Sequence, residues 1–380
     1  MRRFALFTFL TVAAACAALA PRALAHPPWG IAADAEGRVY FSALEAVWKI
    51  DERGRLTVFR AGVAGRHTHE LRLGEDGNLY GEDLTYEPAG ERWITAVWKM
   101  TPAGEFSYTL APTDSPPRGT SIWRDREGNS YSVHKDDNTH ELLILKRSSS
   151  GEVSLLRGSR ASLERGRQVT LYNAAGTAFG PDGALYFTDG SDIFKAERDG
   201  TIKSLAPGVA DANTQSTDAK TQNRAKAEHD GHEDHGGLLG LSVDARGNAY
   251  AADIRNRRVL KVTSDGKVSV VHTSEEAWMP TGVACAGDSL YVLEFGTAPP
   301  SLYKPRVLKL TSGERPTVIA SVAEARANAG GGGGGTAVDY VDYRVPVSNL
   351  RRNAYVVAYV LGLALVLYVF LRVKRGRRLH

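Results

Sequence analysis

A ring of six small antiparallel sheets, the six-bladed β-propeller of the all-β class, is the fold this chain predicts. Three observations point to it. A phrase of glycine turn, aromatic strand, lysine-bearing strand and second glycine turn recurs six times. Its period is close to fifty residues, and each copy holds four short runs of β-branched and aromatic residues bounded by Gly and Asp. Four strands at this period make one blade, and stacking blades around an axis buries the faces that a lone sheet would leave wet.

The lysine marker stands at Lys49, Lys99, Lys146, Lys195, Lys261 and Lys309, at spacings of 47 to 50 residues except one of 66. The long spacing holds an insertion. The glycine after the lysine is Gly54, Gly104, Gly151, Gly200, Gly266 and Gly313. The glycine of the earlier turn is Gly37, Gly77, Gly128, Gly183 and Gly247, with Gly287-Asp288 in the sixth copy. Trp48 and Trp98 share one strand position and are expected to pack between blades.

The fifth copy, Gly240 to Asp253 followed by Asn256-Arg257-Arg258-Val259-Leu260-Lys261, resembles the NHL-repeat family, and the resemblance extends over residues 30–322. It implies the propeller fold, which hosts scaffolds, lactone hydrolases and lyases alike. The fourth copy resembles the gluconolactonase-like branch, whose metal is held by a Glu, an Asn and an Asp where the innermost strands begin. Here Ala175 and Leu239 stand where the Asn and the acidic ligand are expected. A resemblance to peptide-amidating lyases, propellers with three zinc-binding histidines, suits the histidines of this chain better.

The two ends read differently from the repeats. Arg2 and Arg3, an apolar stretch from Phe4 to Ala20 and Ala23-Leu24-Ala25 make residues 1–25 an expected signal peptide, with a retained anchor as the alternative. Residues 354–371 carry no charge and are followed by five basic residues in 372–380. At about 1.5 Å per residue they match a bilayer core, and the flanking charge places the tail in the cytoplasm. Residues 26–325 are then the propeller, outside the cell membrane in a periplasmic or extracellular position. Residues 326–353, with six glycines from Gly330 to Gly335, form a linker or stalk. The alternating Val338–Tyr343 is either part of that stalk or an added strand.

The formal charge of +4 belongs to these ends. Without the three basic residues of the leader and the seven of residues 347–380, the body has 37 basic against 43 acidic residues, which argues against a nucleic-acid partner. Cys16 leaves with the leader and Cys285 is alone, so no internal disulfide is expected.

Strand alternation places the starts of the innermost strands and the loops between the second and third strands on one rim. His67, His69 and Glu70 are expected just before the innermost strand of blade 2, His134 and His140 around a loop of blade 3, and His229, His232 and His235 before blade 5. Three neutral imidazoles at the channel mouth, His69, His134 and His235, would suit a divalent metal, zinc above others, and a metal-bound water for hydrolysis or elimination. The alternatives are hydrogen bonds to neighbouring backbone and a solvated insertion. Glu70, Asp189, Arg255 and Glu294, with Glu82 and Asp83, are expected on the same rim, orienting a polar ligand or capping turns. The functional expectation is a membrane-anchored binding propeller whose His-rich rim takes a metal, a small ligand or a protein; a metal-dependent hydrolase or lyase, and a pure scaffold, are the alternatives.

Overall fold

In the computed structural model the described residues are 29–323, except 44, 64, 88, 91, 126, 136–141, 157–174, 189, 199–200, 211–236 and 299–303. The predicted signal peptide, linker, membrane span and basic tail lie outside them.

Six sheets follow one another along the chain, each built from one contiguous stretch. Blade 1 is β1 (Ile31–Ala33), β2 (Val39–Ala43), β3 (Ala46–Ile50) and β4 (Leu56–Arg60). Blade 2 is β5 (Arg66–Leu73), β6 (Leu79–Glu87), β7 (Arg92–Met100) and β8 (Phe106–Thr113). Among the described residues blade 3 is β9 (Ser130–Lys135), β10 (Leu142–Arg147) and β11 (Val153–Leu155), and its innermost segment makes a single bridge between Arg124 and Ser130. Blade 4 is β12 (Ala175–Phe179), β13 (Leu185–Thr188), β14 (Ile193–Ala196) and β15 (Ile202–Ala206). Blade 5 is β16 (Leu238–Val243), β17 (Ala249–Asp253), β18 (Arg258–Val262) and β19 (Val268–Thr273). Blade 6 is β20 (Trp278–Ala286), β21 (Ser289–Gly296), β22 (Pro305–Thr311) and β23 (Thr317–Ser321).

The recurring lysine has a structural reason. In every blade it lies directly across from a tyrosine of the second strand, from Tyr40–Lys49 in blade 1 to Tyr291–Lys309 in blade 6. In five blades the ammonium sits 5.6–6.0 Å from that ring's centre, within cation–π range. The turn glycines Gly37, Gly77, Gly128, Gly183 and Gly247 all have φ between 74° and 84°, which a side chain rarely tolerates. Beside them Asp34, Asp125 and Asp244 accept backbone N–H bonds of 2.8–2.9 Å, fixing the same turn three times over.

The ring closes at its centre by backbone contact. A Cβ on Gly240 of blade 5 would lie 2.6 Å from the Cα of Gly282 in blade 6, and one on Gly282 would lie 2.3 Å from the carbonyl of Trp29 in blade 1. Gly30 abuts β5 and Gly176 abuts β16 in the same way. Between the blades lie apolar clusters. Val39, Phe41, Trp48 and Ile50 meet Tyr291, Leu293, Phe295 and Val307 at the seam of blades 1 and 6. Tyr40 and Val47 meet Leu79 and Trp98 between blades 1 and 2. Ile144 meets Phe187 and Phe194 between blades 3 and 4, Tyr186 and Ile193 meet Leu260 between 4 and 5, and Val259 meets Val292 between 5 and 6. Trp98 is fully buried and Trp48 nearly so, the packing role expected of both. At the corresponding positions of the seam between blades 2 and 3, Val97 of blade 2 and Ile122, Leu143 and Leu145 of blade 3 are buried.

Candidate functional site

Five of the six innermost segments carry a glycine or serine at one repeat position: Gly30, Ser121, Gly176, Gly240 and Gly282, each nine or ten residues before its blade's tyrosine. Blade 2 brings Glu70. Its carboxylate lines a cavity on the axis together with Trp29, Ile31, Trp123, Thr177 and Leu241, residues drawn from blades 1, 3, 4 and 5. The cavity is small, about 30 Å³, and opens to solvent.

Two indoles grip Glu70. Trp29 Nε1 donates to one carboxylate oxygen at 3.0 Å and Trp123 Nε1 to the other at 2.8 Å. Burial raises the carboxyl's pKa, and the two N–H donors, which favour the charged form, offset part of that rise. Directly across the strand pair from Glu70 stands Glu82. Among the described residues no donor is hydrogen-bonded to it. Burial, then the negative charge of Glu70 and that of Asp83, push its pKa from 4.5 to about 8. Two carboxylates thus face each other at the start of the channel with only indole donors on one of them.

His69 is the extra residue of a β-bulge between Thr68 and Glu70. It is buried, edge-on to Trp29 at 5.4 Å between ring centres and stacked on His67 at 6.1 Å. Burial lowers the pKa of His67, so the outer ring of this stack is held toward its neutral form. The sequence placed His67, His69 and Glu70 before the innermost strand; they are inside it, because the bulge continues the strand pairing past Glu70 to Arg66. His134 is the next-to-last residue of β9, across from Leu143, beside the loop where it was expected. His235 and Asp189 lie outside the described residues, as does the side chain of His134. Among the described residues no group of three or more His, Cys, Asp or Glu side chains is placed to hold a metal.

Glu294 requires a correction. Expected on a loop to meet a ligand, it lies within β21 and is completely buried. Arg306 Nε donates to it at 2.7 Å, Ser274 Oγ at 2.5 Å, and His272 Nε2 lies 3.0 Å away. These donors hold its pKa below the usual carboxylate range despite burial. Ser274 and His272 come from blade 5, so Glu294 ties two blades. Asp83 is its counterpart in blade 2: Arg60 of blade 1 donates to its two oxygens at 2.8 and 2.6 Å, and Trp98 Nε1 adds a third bond at 2.9 Å. Asp253 in blade 5 orders Arg258 and Asn256, which donate to the carbonyls of Val209 and Ala210 in blade 4. Glu82, Asp83 and Glu294 are strand residues, not loop residues as the sequence suggested, since the strand pairings run past them toward the rim. Arg255 is exposed on the turn between β17 and β18, as expected.

The residues that sequence reasoning missed are Trp29 and Trp123. They lie 41 and 53 residues from Glu70, and no local pattern marks them. The one available signal was Glu70 itself, standing where the other copies have glycine or serine.

Fold and site together define a six-bladed β-propeller with a carboxylate pair at the start of its axial channel. No protein-family model matches the chain, and no curated protein sequence matches it. Solved structures that are similar include virginiamycin B lyase from Staphylococcus aureus, at 17% identity and TM-score 0.43, over 77% of this chain and 83% of that one. A gluconolactonase from Xanthomonas campestris aligns at 15% identity and TM-score 0.43, over 72% and 85%. A calcium-binding protein, regucalcin, from Agrobacterium tumefaciens aligns at 16% identity and TM-score 0.38, over 70% and 82%. A gluconolactonase stands among them, as the sequence resemblance implied. Likeness at this level speaks of the fold and leaves the activity to be argued from the site.

Proposed function

We propose that this protein is an extracytoplasmic propeller, tethered to the cell membrane by its C-terminal segment, that binds a small cationic ligand at the start of the axial channel. The observation that carries the binding reading is the pair Glu70–Glu82. A half-buried carboxylate that has no hydrogen-bond donor and faces a second carboxylate is stabilised by a cation, and a cation arriving at Glu82 would supply the missing partner. The leader, the charge-free run 354–371 and the basic residues after it support the tether.

A divalent metal is one such cation. The carboxylates of Glu70 and Glu82 offer oxygen donors, which suit calcium or magnesium. The set His69, His134 and His235 would suit zinc instead. The described donors alone do not complete either sphere, so a metal would draw on His134, His235 or Asp189 as well. An enzymatic reading, a hydrolase or lyase, is favoured by one feature: a carboxyl that titrates near pH 8 can both give and take a proton at neutral pH.

Calorimetric titration of the full-length detergent-solubilised protein with calcium, zinc and methylammonium tests the binding reading. At least one should bind at pH 8.5, and Glu82→Gln should weaken it about tenfold, or about 1.4 kcal/mol. If none binds, or if Glu82→Gln binds as the wild type does, the reading is wrong.

A further inference from the structure

Two residues beyond Glu70, toward the turn that ends the innermost strand, the strand register sets two arginines apart. Directly across from the second-strand tyrosine stands a small residue in four blades: Ala32, Ala178, Ser242 and Ala284. Blade 2 has Arg72 there, across from Tyr80. The next residue is Ala33, Leu73, Phe179, Val243 or Cys285 in five blades. Blade 3 has Arg124 in that place, bridged to Ser130. Side chains alternate between the two faces of a strand. Leu71 and Leu73 pack toward Ala32 and Tyr40 of blade 1, so Arg72 faces blade 3. Ile122 and Arg124 stand at the positions of Leu71 and Leu73, so Arg124 faces blade 2. The two guanidinium groups thus face each other across one seam.

Arg72 Nη1 donates to the carbonyl of Ile122 at 3.3 Å, and its guanidinium lies 5.6 Å from the ring centre of Phe179. Arg124 Nε is buried and has no hydrogen-bond partner. Among the described residues neither arginine forms an ion pair with a carboxylate. Burial holds the pKa of Arg72 below the ordinary guanidinium range; the positive charge of Arg124 adds to that effect, and Tyr80, Glu75 and Asp76 oppose it. Asp76 is taken up by Asn78 and Tyr80, each at 2.7 Å, and Glu75 has a partner of its own. A carboxyl so placed could take up a proton and become neutral, but a guanidinium keeps its charge. Two like charges held in a half-buried seam, one with an orphaned N–H, are stabilised by an anion between them.

We propose that Arg72 and Arg124 form an anion site at the seam of blades 2 and 3, and that the site takes a phosphate group. A phosphate carries nearly two negative charges near neutral pH and three or more acceptor oxygens, enough to neutralise both guanidinium groups. A carboxylate would neutralise one. Guanidinium N–H forks also match pairs of phosphate oxygens. The anion site stands independently of the cation reading, since neither arginine lines the axial cavity.

Calorimetric titration of the full-length detergent-solubilised protein at pH 7.5 with inorganic phosphate, methyl phosphate and acetate tests the site. Phosphate should bind, and acetate should bind at least about tenfold more weakly. Arg72→Gln and Arg124→Gln should each weaken phosphate at least about tenfold, whereas Arg53→Gln, on an exposed turn of blade 1, should leave it unchanged. Methyl phosphate bound as tightly as phosphate assigns the site to a phosphomonoester, and weaker binding assigns it to the free ion. Absence of phosphate binding, acetate bound as tightly, or wild-type affinity in both Arg72→Gln and Arg124→Gln would overturn the proposal. Should either variant fail to fold, modification of the unsubstituted protein by phenylglyoxal, mapped by mass spectrometry, decides instead. Phosphate at ten times its Kd should slow modification of Arg72 and Arg124 about tenfold and leave Arg53 unaffected. Equal protection at all three, or none at Arg72 and Arg124, refutes the site.

Discussion

Replacing Glu82 by glutamine should make the propeller more stable, and only above acid pH. The carboxyl has an ordinary pKa of 4.5 in the unfolded chain and about 8 in the fold. A folded pKa above the unfolded one means that the fold holds the proton more tightly. Stability is therefore greatest below pH 4.5, falls as pH rises from there to about 8, and is level beyond. Each tenfold in proton affinity is about 1.4 kcal/mol, so the gap from 4.5 to about 8 amounts to about 5 kcal/mol. Glutamine keeps the shape and carries no charge to bury. Thermal unfolding followed by near-ultraviolet circular dichroism at pH 5 and pH 8.5 reads the difference. At about 2 °C per kcal/mol for a domain of this size, Glu82→Gln should gain about 10 °C at pH 8.5 and almost nothing at pH 5. A variant that is equal to the wild type at both pH values, or less stable at pH 8.5, would show that Glu82 is already solvated or paired, and the carboxylate-pair argument would fall.

Other consequences are simpler to state. Arg306→Ala strips the buried Glu294 of its cation and should cost about 3–5 kcal/mol in urea unfolding, whereas Arg255→Ala, on an exposed turn, should cost under about 0.5 kcal/mol. Gly240→Ala drives a methyl into the backbone of Gly282 and should destabilise by about 3 kcal/mol or more, read as a lowered urea midpoint. Elemental analysis of dialysed protein tests the histidine set: a bound metal should be lost from His69→Ala, His134→Ala and His235→Ala alike, and retained by His229→Ala. Protease added to spheroplasts should cut within Gly330–Gly335 and release the propeller; full protection from outside would refute the proposed orientation.

The ring was legible in the sequence because blade-making is local. A Gly turn with φ near 80° and a tyrosine across from a lysine are settled within one blade, so the repeat carries them openly. The stripped innermost strand of blade 3 was not legible, since Ser121–Arg124 differs from its counterparts mainly in what fails to pair with it. The site was half legible. Glu70 was picked out as a rim acid, yet the indoles that hold it arrive from blades 1 and 3, and chain distance hides them. Glu294 and Asp83 looked the same as Glu70 in sequence because all three are acids near the same rim. What separates them is a guanidinium, from Arg306 or Arg60, at a position that only the strand register reveals. Zinc remains tied to His134 and His235, whose side chains lie outside the described residues.

The way the ring is closed bears on how the protein is made. Among the described residues each blade is one contiguous stretch, so blades 1 and 6 meet without sharing a sheet: the four described strands of blade 6 all come after those of blade 1. During synthesis the first blade emerges with Val39, Phe41, Trp48 and Ile50 uncovered, and they stay uncovered until Tyr291, Leu293 and Val307 are made. Synthesis thus leaves an apolar surface open until the last blade is complete, and a chaperone has a defined patch to shield. Because no sheet is divided between the ends among the described residues, the gene could also be recut at a seam and the ends of the propeller joined. The recut chain would carry the same six sheets in a new order and present a different blade first.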